Sequence, residues 1–155
     1  MQIRFAKNTD IPAFIRLLKQ VGRVHYEGRP DIFRADAQKY DEAALEALLQ
    51  DQNRPILVAE DAGQVLGYAF CVIQNTAGDP VLQDVKTVYI DDLCVDENCR
   101  GGGVGKALYN AVLDYAREIG AYNVTLNVWA KNESALKFYE KMGLMPQKYG
   151  MEIIL

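Results

Sequence analysis

The segment running from Tyr89 to Lys106 constrains this chain more than any other. It begins as an apolar strand, Tyr89-Ile90-Asp91-Asp92-Leu93-Cys94-Val95, passes through Asp96-Glu97-Asn98, and ends in Arg100-Gly101-Gly102-Gly103-Val104-Gly105-Lys106. Four glycines within residues 101–105 remove side chains from a backbone that must pass close to something. The residues that follow have helical spacing, so the corner sits at a helix N-terminus, where unpaired N–H groups and positive partial charge gather. A corner of this kind is an anion site, best suited to a phosphate ester.

A chain of 155 residues fits one domain, residues 1–155, able to bury about 70 % of its unfolded surface. A net charge of −4 lacks the basic excess that a nucleic-acid footprint needs. Cys71, Cys94 and Cys99 form no even disulfide framework, and with His25 as the only histidine no metal site is expected. A reduced, cytoplasmic setting follows as the simplest expectation. No signal peptide or membrane span is read from the sequence.

Along the chain, Ile3 and Phe5 alternate with charge as a half-buried strand does. Asp10 and Pro12 mark a helix start, and Ile11, Phe14, Ile15, Leu18 and Val21 recur at helical spacing as far as Gly22, which can interrupt or end the helix. Residues 23–35 fit no single period and are expected to be a loop. A second helix spans about 41–50, a strand 56–59, a hairpin turn 60–64, and a returning strand 65–73. Gly67 inside that strand signals a bulge or a close neighbour. A polar loop covers 75–84 and a long strand about 86–95. From Val104 to Ile119 the i, i+3, i+4, i+7 pattern is unbroken, and Gly120 closes the helix. A strand at 124–129, a short helix opened by Asn132, and one or two strands within 145–155 complete the chain. The fold class is therefore α/β: a central mixed sheet flanked by about four helices, with strands 86–95 and 124–129 parallel.

Two phosphate motifs fail at the glycine corner. A P-loop requires Ser or Thr after Gly-Lys and a glycine five residues before it; this chain has Ala107 and Arg100. A dinucleotide fingerprint ends in Gly or Ala, where this chain has Lys106, and no acidic residue closes the next strand. What fits is Arg-x-x-Gly-x-Gly at Arg100–Gly105, together with Asn132-Glu133-Ser134-Ala135-Leu136-Lys137-Phe138-Tyr139-Glu140-Lys141-Met142-Gly143-Leu144 downstream. The first resembles the acyl-CoA motif of the GNAT superfamily of N-acetyltransferases. The second resembles that family's N-x-x-A-x-x-x-Y-x-x-x-G-F segment, with Leu144 where Phe is commoner. The match is close over 86–155; residues 1–85 share only the order of elements.

The resemblance implies an acyl-CoA N-acyltransferase fold and acetyl-CoA as cosubstrate, with no metal. Amides of Gly101, Gly102, Gly103, Val104, Gly105 and Lys106 would hold the pyrophosphate, and Arg100 and Lys106 either add charge or are solvated. The pantetheine arm would pair along Leu93, Cys94 and Val95 as a substitute strand. Asn132 and Ala135 would complete that site, Asn132 also serving as a helix cap. Tyr139 matches the family's general acid. Asp91 and Asp92 are the candidate bases; an acid inside an apolar strand must be partnered or face a cleft. Only one of the two should face the acceptor unless a bulge intervenes, and Asp91 is preferred. His25, Tyr26 and Glu27 are placed on the acceptor side. Arg23, Arg29 and Arg34 argue for an anionic acceptor group, against the acidic total. The activity implied is acetyl transfer to a primary amine of a small molecule or protein by direct attack in a ternary complex. The alternative is a non-catalytic acyl-CoA-binding sensor domain. A homodimer through the C-terminal strands is implied as well.

Overall fold

The computed structural model describes residues 1–155. Five strands, β1 (Gln2–Phe5), β2 (Ile56–Asp61), β3 (Gln64–Asn75), β4 (Lys86–Val95) and β5 (Asn123–Leu126), form one sheet in the order β1-β2-β3-β4-β5. Every pairing is antiparallel except β4 with β5, which is parallel and joined by the crossover helix α3 (Val104–Glu118). Helices α1 (Ile11–Gly28) and α2 (Glu42–Gln50) cover one face, α3 the other, and α4 (Glu133–Lys141) follows β5.

Alternation along the inner strands explains the layers. On β2, Ile56 and Val58 join Phe14, Leu17, Leu18 and Leu45 under α1 and α2, while Leu57 and Ala59 join Leu108 and Val112 under α3. A strand apolar on both sides must lie between two helical layers.

Helix α1 runs through Gly22 to Gly28, so the loop expected at 23–35 begins six residues late. Gly22 does not break the helix. It lets the 34–37 loop lie against it: a Cβ there would sit 2.3 Å from the Ala37 carbonyl oxygen. Nor does Asp10 cap α1 with its side chain. Its carboxylate accepts from Arg4 at 2.8 and 2.9 Å and from the Lys7 amide, tying β1 to the helix start. The β2–β3 hairpin is tighter than read, turning on Ala62 and Gly63, both at positive φ. Asp41 caps α2 through the Ala44 amide.

Strand β5 stops at Leu126, short of Trp129. The larger departure is the C-terminus: residues 145–155, expected as one or two strands, form none. The paired sheet therefore ends at β5 with an open edge.

Gly67 turns out to be both a bulge and a close approach. Register slips beside it, leaving Leu66 without a partner on β2, and a Cβ would lie 2.5 Å from the Cys94 carbonyl oxygen. Two strand backbones have no room to part without disturbing Leu108, so Gly67→Ala is expected to destabilise the fold by about 1–3 kcal/mol in urea denaturation.

Candidate active site

The site lies where β4 and β5 separate. Their pairing ends at Ile90 with Leu126, so residues 91–95 have no partner strand on that side. Directly beyond, Asp96 turns the chain through a short 3-10 helix (Glu97–Cys99) into the glycine corner. Helix α1 braces this turn: Arg16 pairs with Asp96, the Gln20 side chain accepts from the Glu97 amide at 3.0 Å, and Arg23 bonds Glu97 at 2.6 Å.

At the corner Gly101 and Gly103 both have φ of 81°, a conformation glycine adopts without steric cost. Gly103 is the N-cap of α3, and no side chain caps the helix. The first bond to a helix amide is from Ala107 to the Gly103 carbonyl, so the amides of residues 101–106 find no acceptor in the chain. Gly105 packs against Val95 and Phe138, whose nearest atoms would lie 3.5 Å from an added Cβ. Val104 itself is buried in the α3 core, leaving only its amide for a ligand. Lys106 and Arg100 are exposed, the latter reaching the Val95 carbonyl at 3.4 Å.

A second bulge sets the chemistry. Phe70 pairs with Asp92 and Cys71 with Ile90, so Asp91 is the extra residue in β4. Facing reverses across it. Val88 and Ile90 belong to the α3 core, whereas Cys94, an even number of residues on, is buried beneath α1. Hence Asp91 and Asp92 reach the same side, where strict alternation allows one. Asp91 accepts from Lys39 Nζ and from the Tyr40 hydroxyl, each at 2.8 Å. Asp92 accepts from the Tyr68 hydroxyl at 2.7 Å, and Tyr68 is itself fully buried between Phe14 and Phe70. Burial pushes the Asp92 carboxyl up to about 6, with the Tyr68 hydrogen bond acting against the shift.

Tyr139 stands on α4 beside Phe138, their ring centroids 5.2 Å apart. Burial first, and then the charge of Asp92, hold its phenol well above the ordinary tyrosine range. Asn132 caps α4 by accepting from the Ala135 amide at 3.2 Å. The Cys94 thiol is turned away toward the Leu17 carbonyl and pushed by burial up to about 12, so it is neither a coenzyme contact nor a nucleophile at neutral pH. Of Cys94, only the main chain remains for a ligand.

The structure separates His25, Tyr26 and Glu27, the three residues that sequence places on the acceptor side. His25, on the last turns of α1, stacks on Phe33 at 5.0 Å, and Phe33 meets Trp129 edge-on at 5.2 Å. Burial, and secondarily the charge of Lys39, lower the His25 pKa. Tyr26 and Glu27 point outward and are exposed. Two of the three arginines are already paired, Arg23 with Glu97 and Arg29 with Asp31 and Glu152, which weakens the sequence argument for an anionic acceptor. Sequence reading missed Phe33, Lys39, Tyr40, Tyr68 and Trp129 as site residues. Only Phe33 carried a signal, as an aromatic in a segment without period.

The family model of the acetyltransferase (GNAT) family matches residues 23–144. The chain belongs to the GNAT acetyltransferase family. It is an acyltransferase by that membership. An uncharacterized N-acetyltransferase, YhfO of Bacillus subtilis, is 34 % identical over 146 residues, 92 % of this chain and 89 % of that protein. The glucosamine 6-phosphate N-acetyltransferase of Trypanosoma brucei brucei is 33 % identical over 62 % of this chain and 61 % of its own. A crystal structure of a mutant BH1408 protein from Bacillus halodurans superposes with a TM-score of 0.95 at 35 % identity, covering 100 % of this chain and 99 % of that one. The mixed sheet with its four helices is thus the family's fold.

The raised Asp92 pKa carries a stability consequence whose sign is fixed. The native carboxyl holds its proton to about pH 6, while the unfolded one releases it near pH 4. Native protein binds more protons between these values, so stability falls as pH rises through that window, and the loss persists above it. Asp92→Asn removes the penalty. Urea denaturation should find the variant more stable by about 1–3 kcal/mol at pH 7–8 and level with the parent below about pH 4.

Proposed function

We propose that the protein transfers an acetyl group from acetyl-CoA to a primary amine by direct attack within a ternary complex. The observation that carries this reading is the row of unpaired amides from Gly101 to Lys106, aligned beyond an unpartnered length of β4. That arrangement suits an acyl carrier with a diphosphate at one end and an amide-bearing arm along the strand, gripped by backbone at both. Leu93 and Val95 supply main-chain partners for the arm, Asn132 and Ala135 flank it, and Arg100 and Lys106 add positive charge at the exposed rim.

The chain's acids and phenol divide the proton work. An amine arrives at neutral pH as an ammonium ion and must lose a proton before it can attack. Asp91, already engaged with Lys39 and Tyr40, suits electrostatic attraction of that cation. Asp92, with its pKa near 6 and no cationic partner, suits removal of the proton, directly or through one water. This reverses the preference for Asp91 that sequence alone supports. As the C–N bond forms and the C–S bond breaks, the departing sulfur needs a proton, and Tyr139 is a phenol that stays protonated at neutral pH. The buried, protonated Cys94 offers no acyl-enzyme route. A relative's name, glucosamine 6-phosphate N-acetyltransferase, points to a small-molecule acceptor.

Two measurements test the proposal. Coenzyme A at 100 times its Kd should stabilise the protein by about 2.7 kcal/mol, roughly 5–10 °C in Tm for this size, while ATP should not. Stabilisation by ATP alone would sink the acyl-carrier reading. Tyr139→Phe should lower kcat by about 10²–10⁴-fold with little change in acetyl-CoA affinity, because proton donation matters at the transition state. A sensor domain would instead bind coenzyme A and release no thiol with any amine in a panel.

A further inference from the structure

Asp91 does not stand open for an incoming amine. One of its oxygens is already held by a primary ammonium group of the same chain: Lys39 Nζ donates to Oδ2 at 2.8 Å, and the Tyr40 hydroxyl donates to that oxygen at the same distance. Of the nine lysines, Lys39 alone pairs with an acid of this site. Lys137 pairs with Glu133 on the exposed face of α4, and Lys86 donates to the Ile119 carbonyl. The Lys39 pair is also open to one side. Its side chain is 46 % exposed, against 19 % for Asp91, and an ion pair so placed contributes little to stability and parts readily. Residues 29–41, which carry Lys39, form no helix or strand, so no backbone ladder fixes that side chain.

This ammonium meets each demand that the reaction makes of an acceptor. It is a primary amine, it is bound as a cation by Asp91, and it lies one residue along β4 from Asp92. The bulge sets both acids on one side of the sheet, so the acid that holds the cation adjoins the acid suited to take its proton. Burial acts to lower the Lys39 pKa, but the hydrogen bond and charge of Asp91 outweigh it and hold the group above the usual lysine range. Lys39 therefore starts as an ammonium ion, as a free amine would. In the acyl-carrier reading, the arm runs along β4 from Val95 to Leu93, and its acyl end faces Asp92 and Asp91, where Lys39 stands.

We propose that Lys39 is itself an acetyl acceptor, so that the protein, given acetyl-CoA and no free amine, acetylates its own Lys39 Nζ. The proposal rests on the acetyl-CoA reading of the site. An amine held there by its own chain needs no diffusional encounter. The Lys39 nitrogen gives one proton to Asp92, its lone pair bonds to the thioester carbonyl carbon, and the C–S bond breaks with its electron pair on sulfur. Tyr139 protonates that sulfur, and the second proton shed by the nitrogen as the amide forms replaces the one Tyr139 gave. Asp92 returns its proton to water. Each event adds one acetyl group to the chain and releases one thiol. The product is a neutral amide, so the ion pair is lost and Asp91 keeps only the Tyr40 hydroxyl.

The test needs no knowledge of the natural acceptor. The full chain is incubated with saturating acetyl-CoA, radiolabelled on the acetyl group, and followed by intact mass and peptide mapping. One acetyl group per chain should appear at Lys39, matched by one free thiol, at a rate per molecule unchanged by tenfold dilution of the protein. Lys39→Arg, which keeps a cation beside Asp91, should lose the label, and Lys137→Arg should label as the parent does. Tyr139→Phe should slow labelling by about 10²–10⁴-fold. Label spread over exposed lysines without preference for Lys39, label retained by Lys39→Arg, or a rate that falls on dilution would each overturn the proposal. Thiol release with free amines while Lys39 stays unlabelled would overturn it and leave the proposed function standing, whereas failure to bind coenzyme A would overturn both.

Discussion

One extra residue in one strand decides what this fold can do. Without the bulge at Asp91, β4 would keep strict alternation, and Asp92 would sit on the side of Ile90 in the α3 core. A carboxylate there would have no partner and would cost several kcal/mol. With the bulge, two adjacent acids share the face toward α1 and the 29–41 loop, each with its own phenol: Tyr40 for Asp91, Tyr68 for Asp92. The displaced register also turns the Cys94 thiol into the interior and leaves Leu93 and Val95 against α3. Bulges often re-aim side chains next to active sites, and here a single one sets the facing of five consecutive residues.

The two acids are close in sequence but differ in setting. Asp91 is balanced by a lysine, so its charge is matched locally. Asp92 lies against Tyr68 of β3, with no cation in contact, and burial raises its pKa toward neutrality. The same buried charge helps keep Tyr139 protonated. In the proposed mechanism, a base poised near pH 6 beside a phenol held in its acid form would let one electrostatic arrangement serve two opposite proton transfers.

Much of this was legible in the sequence where periodicity is strong. The register-free signals, helix spacing from Val104 onward and the glycine corner, correspond to α3 and its uncapped N-terminus. The strand 86–95 was bounded correctly because its apolar run is flanked by polar segments. What escaped was set by tertiary contact. Gly22 reads as a break, yet it permits a loop to touch an unbroken helix. Lys39 and Tyr40 became site residues only because that loop folds back over β4. Whether Asp91 or Asp92 faces the cleft depends on a bulge, which has no signature in a strand without glycine. The one or two strands expected within 145–155 do not form, because pairing needs a neighbour that sequence pattern does not locate.

Helix α1 touches both halves of the site, and that has a mechanical meaning. Its middle turns hold the entrance to the glycine corner through Arg16, Gln20 and Arg23, and its last turn presents His25 to the opposite wall. An eighteen-residue helix is a stiff rod about 27 Å long, packed through Phe14, Leu17 and Leu18 as a fulcrum. A ligand at the glycine corner and one against the opposite wall would each bear on this one rod, and any coupling between them would be returned in equal measure.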